Sequence, residues 1–318
     1  MVAVVFPGQG SQAVGMGQDL VRHSPEAQSV FHEVSQAVGR DLAQLCFESD
    51  EETLRQTQNA QIALYTVGLA AFKTLTEALG GAFVPSSMAG HSIGEYTALA
   101  AAGVISVPDG ARLVQRRGEL MAQAGTTRPG TMAAILGVES EALAQICREA
   151  SSATETVVVA NDNCPGQLVI SGDPAAVERA GQLASEAGAK RVLPLKVSGA
   201  FHSPLMLDSA AQMRPSLDSV TWTVSTETPV VYSNVTAQPV STGADWPELL
   251  ERQLSSPVRW TESVQQMVRD GVTQMVECGS GQVLTGLAKR IDKGVVAFSV
   301  SDFATATETA KGLTEGRI

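Results

Sequence analysis

The chain has 318 residues, 44% hydrophobic and 17% charged, enough for about two domains and a full core without disulfide or metal staples. Its 22 Lys and Arg against 33 Asp and Glu leave a formal net charge of −11, which argues against a nucleic-acid partner, whose phosphates draw a surplus of basic side chains. No apolar run approaches the ~18 residues of a membrane span, and the N-terminal stretch has no basic start and breaks at Pro7, so neither a span nor a signal peptide is expected.

Val2–Phe6 reads as a buried strand, followed by a glycine-dense loop over Gly8–Gly17. Helical patterns follow at Pro25–Val38, Glu52–Gln56 and Ala60–Leu79, the last apolar nearly all round and therefore buried. A short strand at Ser87–Ala89 runs into Gly90–Gly94, then a small-residue helix over Glu95–Ala102 and another over Pro108–Ala124 that should stop at Gly125.

From Gly130 the pattern changes. Thr131–Val138, Thr156–Ala160, Gln167–Ser171 and Arg191–Val197 read as strands, with helices at Ser140–Ala150 and Pro174–Ala187. That order, β-α-β-β-α-β, is the ferredoxin-like signature, and it suggests a small domain inserted between neighbouring entry and exit points near Gly125 and Gly199. Strands at Val230–Tyr232, Gln274–Glu277 and Val295–Phe298 then alternate with helices at Trp246–Leu254, Trp260–Asp270 and Gln282–Ile291, giving an α/β architecture overall.

Gly90-His91-Ser92-Ile93-Gly94 matches G-x-S-x-G, in which a serine sits on a sharp strand-to-helix turn between glycines that let the backbone pass closely. A serine nucleophile needs a base. His23 and His32 lie in polar helical stretches, and His91 adjoins the serine but points away from it at such a turn, which leaves His202 in Gly199–Pro204 as the best candidate. Asp162, Asp173 and Asp208 could orient its other ring nitrogen, as could a backbone or amide carbonyl. The Ile93 N–H is the natural first oxyanion donor, and the loop Gly8-Gln9-Gly10 can supply a second. The glycine loops fit neither the dinucleotide nor the P-loop pattern, and the dispersed Cys46, Cys147, Cys164 and Cys278 suggest neither a metal site nor a disulfide framework.

The segments Phe6–Gln12, Gly90–Tyr96, Gln115–Met121, Ala160–Gly172, Gly199–Met206, Ser255–Val264 and Gly279–Ile291 together resemble, in order and over nearly the whole chain, the malonyl-CoA:acyl carrier protein transacylases of bacterial fatty-acid synthesis. The resemblance implies an α/β-hydrolase-like large domain (1–126 and 198–318) with a ferredoxin-like small domain (127–197). It further implies Ser92 as nucleophile and His202 as base, with Gln253 orienting that histidine through its main-chain carbonyl. Arg117 would pair with the malonyl carboxylate, although from position alone it reads as a surface cation. Gln9 and Ile93 would form the oxyanion hole, and Asn163 and His91 would line the substrate site, His91 in a structural capacity. The expected partners are malonyl-CoA and an acyl carrier protein bearing phosphopantetheine, with no metal or bound redox cofactor, in a cytoplasmic monomer. Lys190, Arg191, Lys196, Lys289, Arg290 and Lys293 are candidates for docking the acidic carrier. A polyketide acyltransferase and an acyl-thioester hydrolase remain as alternatives.

Overall fold

A computed structural model describes residues 1–197, 199–224 and 229–315. Its strands, in chain order, are β1 (Val2–Phe6), β2 (Ser87–Gly90), β3 (Thr131–Leu136), β4 (Val157–Cys164), β5 (Gln167–Gly172), β6 (Arg191–Pro194), β7 (Val230–Tyr232), β8 (Pro239–Val240), β9 (Val258–Arg259), β10 (Gln274–Cys278) and β11 (Val296–Val300). Six of them form one sheet in the order β11-β10-β1-β2-β7-β8, parallel throughout except at the β7–β8 pair.

The alternation of side chains along β1 decides how this sheet is covered. Val4 and Phe6 point into one apolar cluster, which includes much of the helix Thr57–Ala78. Ala3 and Val5 point into another, with Trp260, Met267 and Leu287 from the helices Trp260–Arg269 and Val283–Ile291. A strand apolar on both faces is what a parallel sheet with helices on either side requires.

The second sheet has the order β6-β3-β5-β4-β9. Its first four strands and the helices Ser140–Ala150 and Pro174–Glu186 make the ferredoxin-like unit, closed by a cluster of Ile135, Leu143, Ile146, Leu168, Ile170 and Val177. The sequence pattern predicts four strands here, but β9 adds a fifth by pairing parallel with β4 at Asn161↔Val258 and Asp162↔Arg259. Two residues carry no periodicity, so tertiary pairing alone makes this strand.

Other elements differ at their edges. The helix predicted to stop at Gly125 runs over Val107–Thr127, where Thr126 and Thr127 hydroxyls donate to the Gln123 carbonyl and the Arg128 N–H to Ala124. β4 continues past Ala160 to Cys164, and β6 ends at Pro194 rather than Val197. Short helices at Gln18–His23 and Leu42–Phe47, and longer ones at Leu207–Asp218 and Phe303–Glu315, add to those the sequence pattern predicts. Among the described residues no helix is long and apolar enough to cross a membrane.

Candidate active site

β2 ends at Gly90 and the helix Gly94–Ala101 begins four residues later, so the chain turns sharply through Ser92. Ser92 has φ 52°, in the left-handed region that non-glycine residues rarely occupy. A Cβ on Gly90 would lie 1.9 Å from the Gly94 carbonyl, and one on Gly94 would lie 2.1 Å from the Phe6 oxygen. Both glycines of the motif are therefore dictated by close backbone approach, while the serine carries the strain.

Asn234 straps this turn. Its Oδ1 accepts from the Ser92 N–H at 2.8 Å and its Nδ2 donates to the Gly90 carbonyl at 2.7 Å. The Asn234 N–H in turn donates to Oε1 of the fully buried Glu95 at 2.7 Å.

His202 Nε2 lies 2.7 Å from Ser92 Oγ, and its Nδ1–H donates to the Gln253 main-chain carbonyl at 2.8 Å. The second contact fixes the tautomer, leaving Nε2 free to accept the serine proton. Burial, reinforced by the Arg117 charge, pushes the His202 pKa down to about 3, so the ring is neutral in the ordinary working range. None of the aspartates that the sequence offers orients it: Asp162 accepts from Thr261, Asp173 from the Thr156 N–H and Arg128, and Asp208 is exposed.

Arg117 is no surface cation. It is wholly buried, 5.6 Å from the Tyr96 ring centroid, with Nη1 donating to Gln61 Oε1 at 2.7 Å. Its Nη2 donates to Gln253 Oε1 at 2.9 Å and Ser92 Oγ at 3.0 Å, while Nε has no partner among the described residues. Gln253 completes the cluster by donating through Nε2 to the Ser92 carbonyl at 2.9 Å and to Glu95 Oε2. Burial raises the Glu95 pKa, opposed by the donors from Asn234 and Gln253 and by the Arg117 charge.

Ser92 and His202 open onto a cavity of about 570 Å³ lined also by Gln9, His91 and Asn163. His91 Nε2 is 2.8 Å from Asn163 Oδ1. Gly8 lets the loop after β1 lie against the serine turn, since a Cβ there would come within 2.7 Å of the His91 carbonyl. The backbone N–H groups of Gln9 and Ile93 donate to nothing among the described residues, whereas the Gln9 side chain donates to Thr57 Oγ1 at 3.4 Å. Such donors beside a serine–histidine pair suit acyl transfer. The six basic candidates are all exposed; Lys196 lines the cavity, and Arg290 is tied to Gln167 and the Pro165 carbonyl at the β4–β5 turn.

Three members of this cluster lie outside the sequence-derived candidates. Glu95 stands directly after the G-x-S-x-G motif, and Gln61 is a polar residue on a helix buried nearly all round; both are readable signals. Asn234 lies in a loop with no pattern of its own.

The chain is similar over nearly its whole length to known acyltransferases. A family model described as "Acyl transferase domain" matches residues 3–302. A malonyl CoA-acyl carrier protein transacylase of Bacillus subtilis is 44% identical over 301 residues, covering 95% of this chain and 93% of that protein. Its counterpart in Escherichia coli K12 is 43% identical over 300 residues, covering 94% and 96%. The crystal structure of an acyl carrier protein S-malonyltransferase from Vibrio cholerae superposes with a TM-score of 0.91 at 43% identity, covering 97% and 99%. A malonyl-transacylase solved in complex with a type II polyketide acyl-carrier protein gives 0.92 at 40% identity, covering 98% and 99%.

Proposed function

Because the chain belongs to the malonyl-CoA:acyl carrier protein transacylase family of acyltransferases, we propose that it moves a malonyl group from malonyl-CoA to the phosphopantetheine thiol of an acyl carrier protein. The observation that carries this reading is Arg117: a buried guanidinium that touches the nucleophile and is in direct contact with no carboxylate among the described residues. A buried charge is costly unless paired, and the planar fork of Arg suits a carboxylate. The terminal carboxylate of malonyl supplies the missing partner.

The chemistry proceeds through Ser92 and His202. Ser92 Oγ attacks the thioester carbon as its proton passes to His202 Nε2, and the oxyanion is received by the N–H groups of Ile93 and Gln9. The C–S bond breaks, His202 returns the proton to the leaving coenzyme A sulfur, and a malonyl-serine ester remains. The carrier thiol then gives its proton to His202 and attacks the ester, and Ser92 recovers the proton as it leaves. His91 and Asn163 shape the acyl side of the cavity. Each step needs proton transfer and oxyanion stabilisation, which these residues provide without a metal or redox group.

We assign residues 127–197 to a small domain and 1–126 with 198–318 to the catalytic one, supported by the two sheets apart from β9, which joins the second sheet from the catalytic part. Residue 198 itself lies outside the described residues. The protein acts as a cytoplasmic monomer, and its exposed basic side chains meet the acidic carrier. The type II polyketide complex among the similar structures favours one second reading, in which the carrier serves polyketide rather than fatty-acid synthesis.

Incubation with labelled malonyl-CoA, followed by addition of carrier, tests the reading. Labelled enzyme that passes its label to carrier is the expected result. Predominant release of free malonate indicates a hydrolase, and absence of labelled enzyme rejects covalent transfer.

A further inference from the structure

We propose that Glu95 is a positioning residue for malonyl recognition, which acts through the side chain of Gln253 to hold the Arg117 guanidinium where the acyl carboxylate meets it. This rests on the malonyl-transfer reading above and adds to it a residue that touches no reacting atom.

The argument is one of hydrogen-bond capacity. The Gln253 side-chain amide has two donor hydrogens and one carbonyl. The hydrogens go to the Ser92 carbonyl at 2.9 Å and to Glu95 Oε2, and the carbonyl accepts from Arg117 Nη2 at 2.9 Å. Turned over, the amide would set its oxygen against two acceptors and its NH2 group against a guanidinium, so all three contacts would fail together. With Gln253 buried and water excluded, that failure is heavily penalised. Of the three groups that fix this orientation, Glu95 is the carboxylate, and it accepts one of the two amide hydrogens.

Glu95 itself is held on two sides. Oε1 accepts from the Asn234 N–H at 2.7 Å while Oε2 accepts from Gln253, and no part of the residue reaches solvent. Both facing groups are donors, so these contacts call for the ionised carboxylate with two acceptor oxygens, and they oppose the burial that raises its pKa. A glutamine has one acceptor and one donor end and satisfies Asn234 or Gln253, not both.

Glu95→Gln weakens one of the three contacts that orient the Gln253 amide, so its carbonyl is held less firmly against Arg117. The contact of His202 with the main-chain carbonyl of Gln253 does not depend on that amide. The consequence separates by substrate: malonyl-CoA, which needs Arg117, suffers, and acetyl-CoA, which does not, is largely spared. A role confined to bracing the serine turn would slow both alike.

The test compares kcat/KM for malonyl-CoA and acetyl-CoA in wild type, Glu95→Gln, Gln253→Ala and the double variant. In Glu95→Gln the malonyl-to-acetyl ratio should fall by about tenfold or more, mostly through KM for malonyl-CoA. Gln253→Ala should lower the ratio similarly, and adding Glu95→Gln to it should change the ratio no further, because the intermediary is gone. Equal losses for both substrates, or additive effects in the double variant, overturn the proposal while leaving malonyl transfer by the wild type intact. Failure of the wild type to transfer malonyl overturns both readings. Should Glu95→Gln not fold, Gln253→Ala decides alone: an unchanged ratio overturns the proposal.

Discussion

Asn234 holds the strained Ser92 turn through two hydrogen bonds, accepting the Ser92 N–H at 2.8 Å while donating to the Gly90 carbonyl at 2.7 Å. A serine at φ 52° persists because the surrounding hydrogen bonds over-determine it. Asn234→Ala removes the partner of the half-buried Ser92 N–H and of the buried Gly90 carbonyl, and the buried group alone loses about 1–3 kcal/mol. Thermal denaturation should show a lowered Tm, and acylation by malonyl-CoA should slow as the serine relaxes. An unchanged Tm and rate would mean the strap does not hold the turn.

The glycines beside Ser92 admit a sharper test. Gly90→Ala places a methyl group 1.9 Å from the Gly94 carbonyl, with backbone rather than a flexible side chain in the way. The turn must open, so soluble yield and activity should both collapse. Gly10→Ala, where nothing lies within 4 Å of an added Cβ, meets no such clash and carries only the strain of its positive φ. The two variants compared by circular dichroism and melting separate close approach from backbone conformation.

The pH profile follows from the burial of His202. Its pKa is held down to about 3, far below the ordinary ~6.5 of a free imidazole, chiefly by desolvation. The base is therefore neutral as pH falls through 6.5, and kcat/KM should stay level there, with its acid limb at least about one pH unit lower. The same shift acts on stability: the unfolded chain binds this proton and the folded one does not. This contribution is present above the unfolded pKa and is lost as pH falls from there toward the folded value. A rate that halves near pH 6.5 in single-turnover acylation would contradict the assignment of a buried neutral base.

Much of this site is legible in the amino-acid sequence. G-x-S-x-G locates Ser92 because the turn leaves space for nothing larger than glycine at its flanks, and elimination among four histidines leaves His202. The ferredoxin-like unit is readable because its strands and helices carry their own periodicities. Other features have no local signature. From position Arg117 reads as a surface cation beside Arg116, and the family resemblance rather than any periodicity points inward; Arg117 is buried because its helix turns that face toward Gln61, Tyr96 and Gln253. Asn234 and the strand β9 take their places through contacts with residues far away in the chain, which no window of sequence contains.

Arg117 itself yields the selectivity prediction. Arg117→Ala removes the partner of the malonyl carboxylate while leaving the Ser92–His202 pair in place. Malonyl transfer should fall steeply, and acetyl-CoA should gain relative to malonyl-CoA, since no guanidinium is then left unpaired beside an uncharged acyl group. Lys at this position should recover little, lacking the planar fork. The ratio of kcat/KM for the two thioesters reads this directly, and an unchanged ratio would remove Arg117 from acyl recognition.

The most direct measurement of the central claim is peptide mapping by mass spectrometry after brief exposure to malonyl-CoA. One malonyl group is expected on the peptide carrying Ser92 in the wild type, discharged when carrier is added. Its formation should be slowed by about 10²–10⁴ in His202→Ala and abolished in Ser92→Ala. A malonyl group on any other residue, or on the Ser92→Ala protein, would contradict the account.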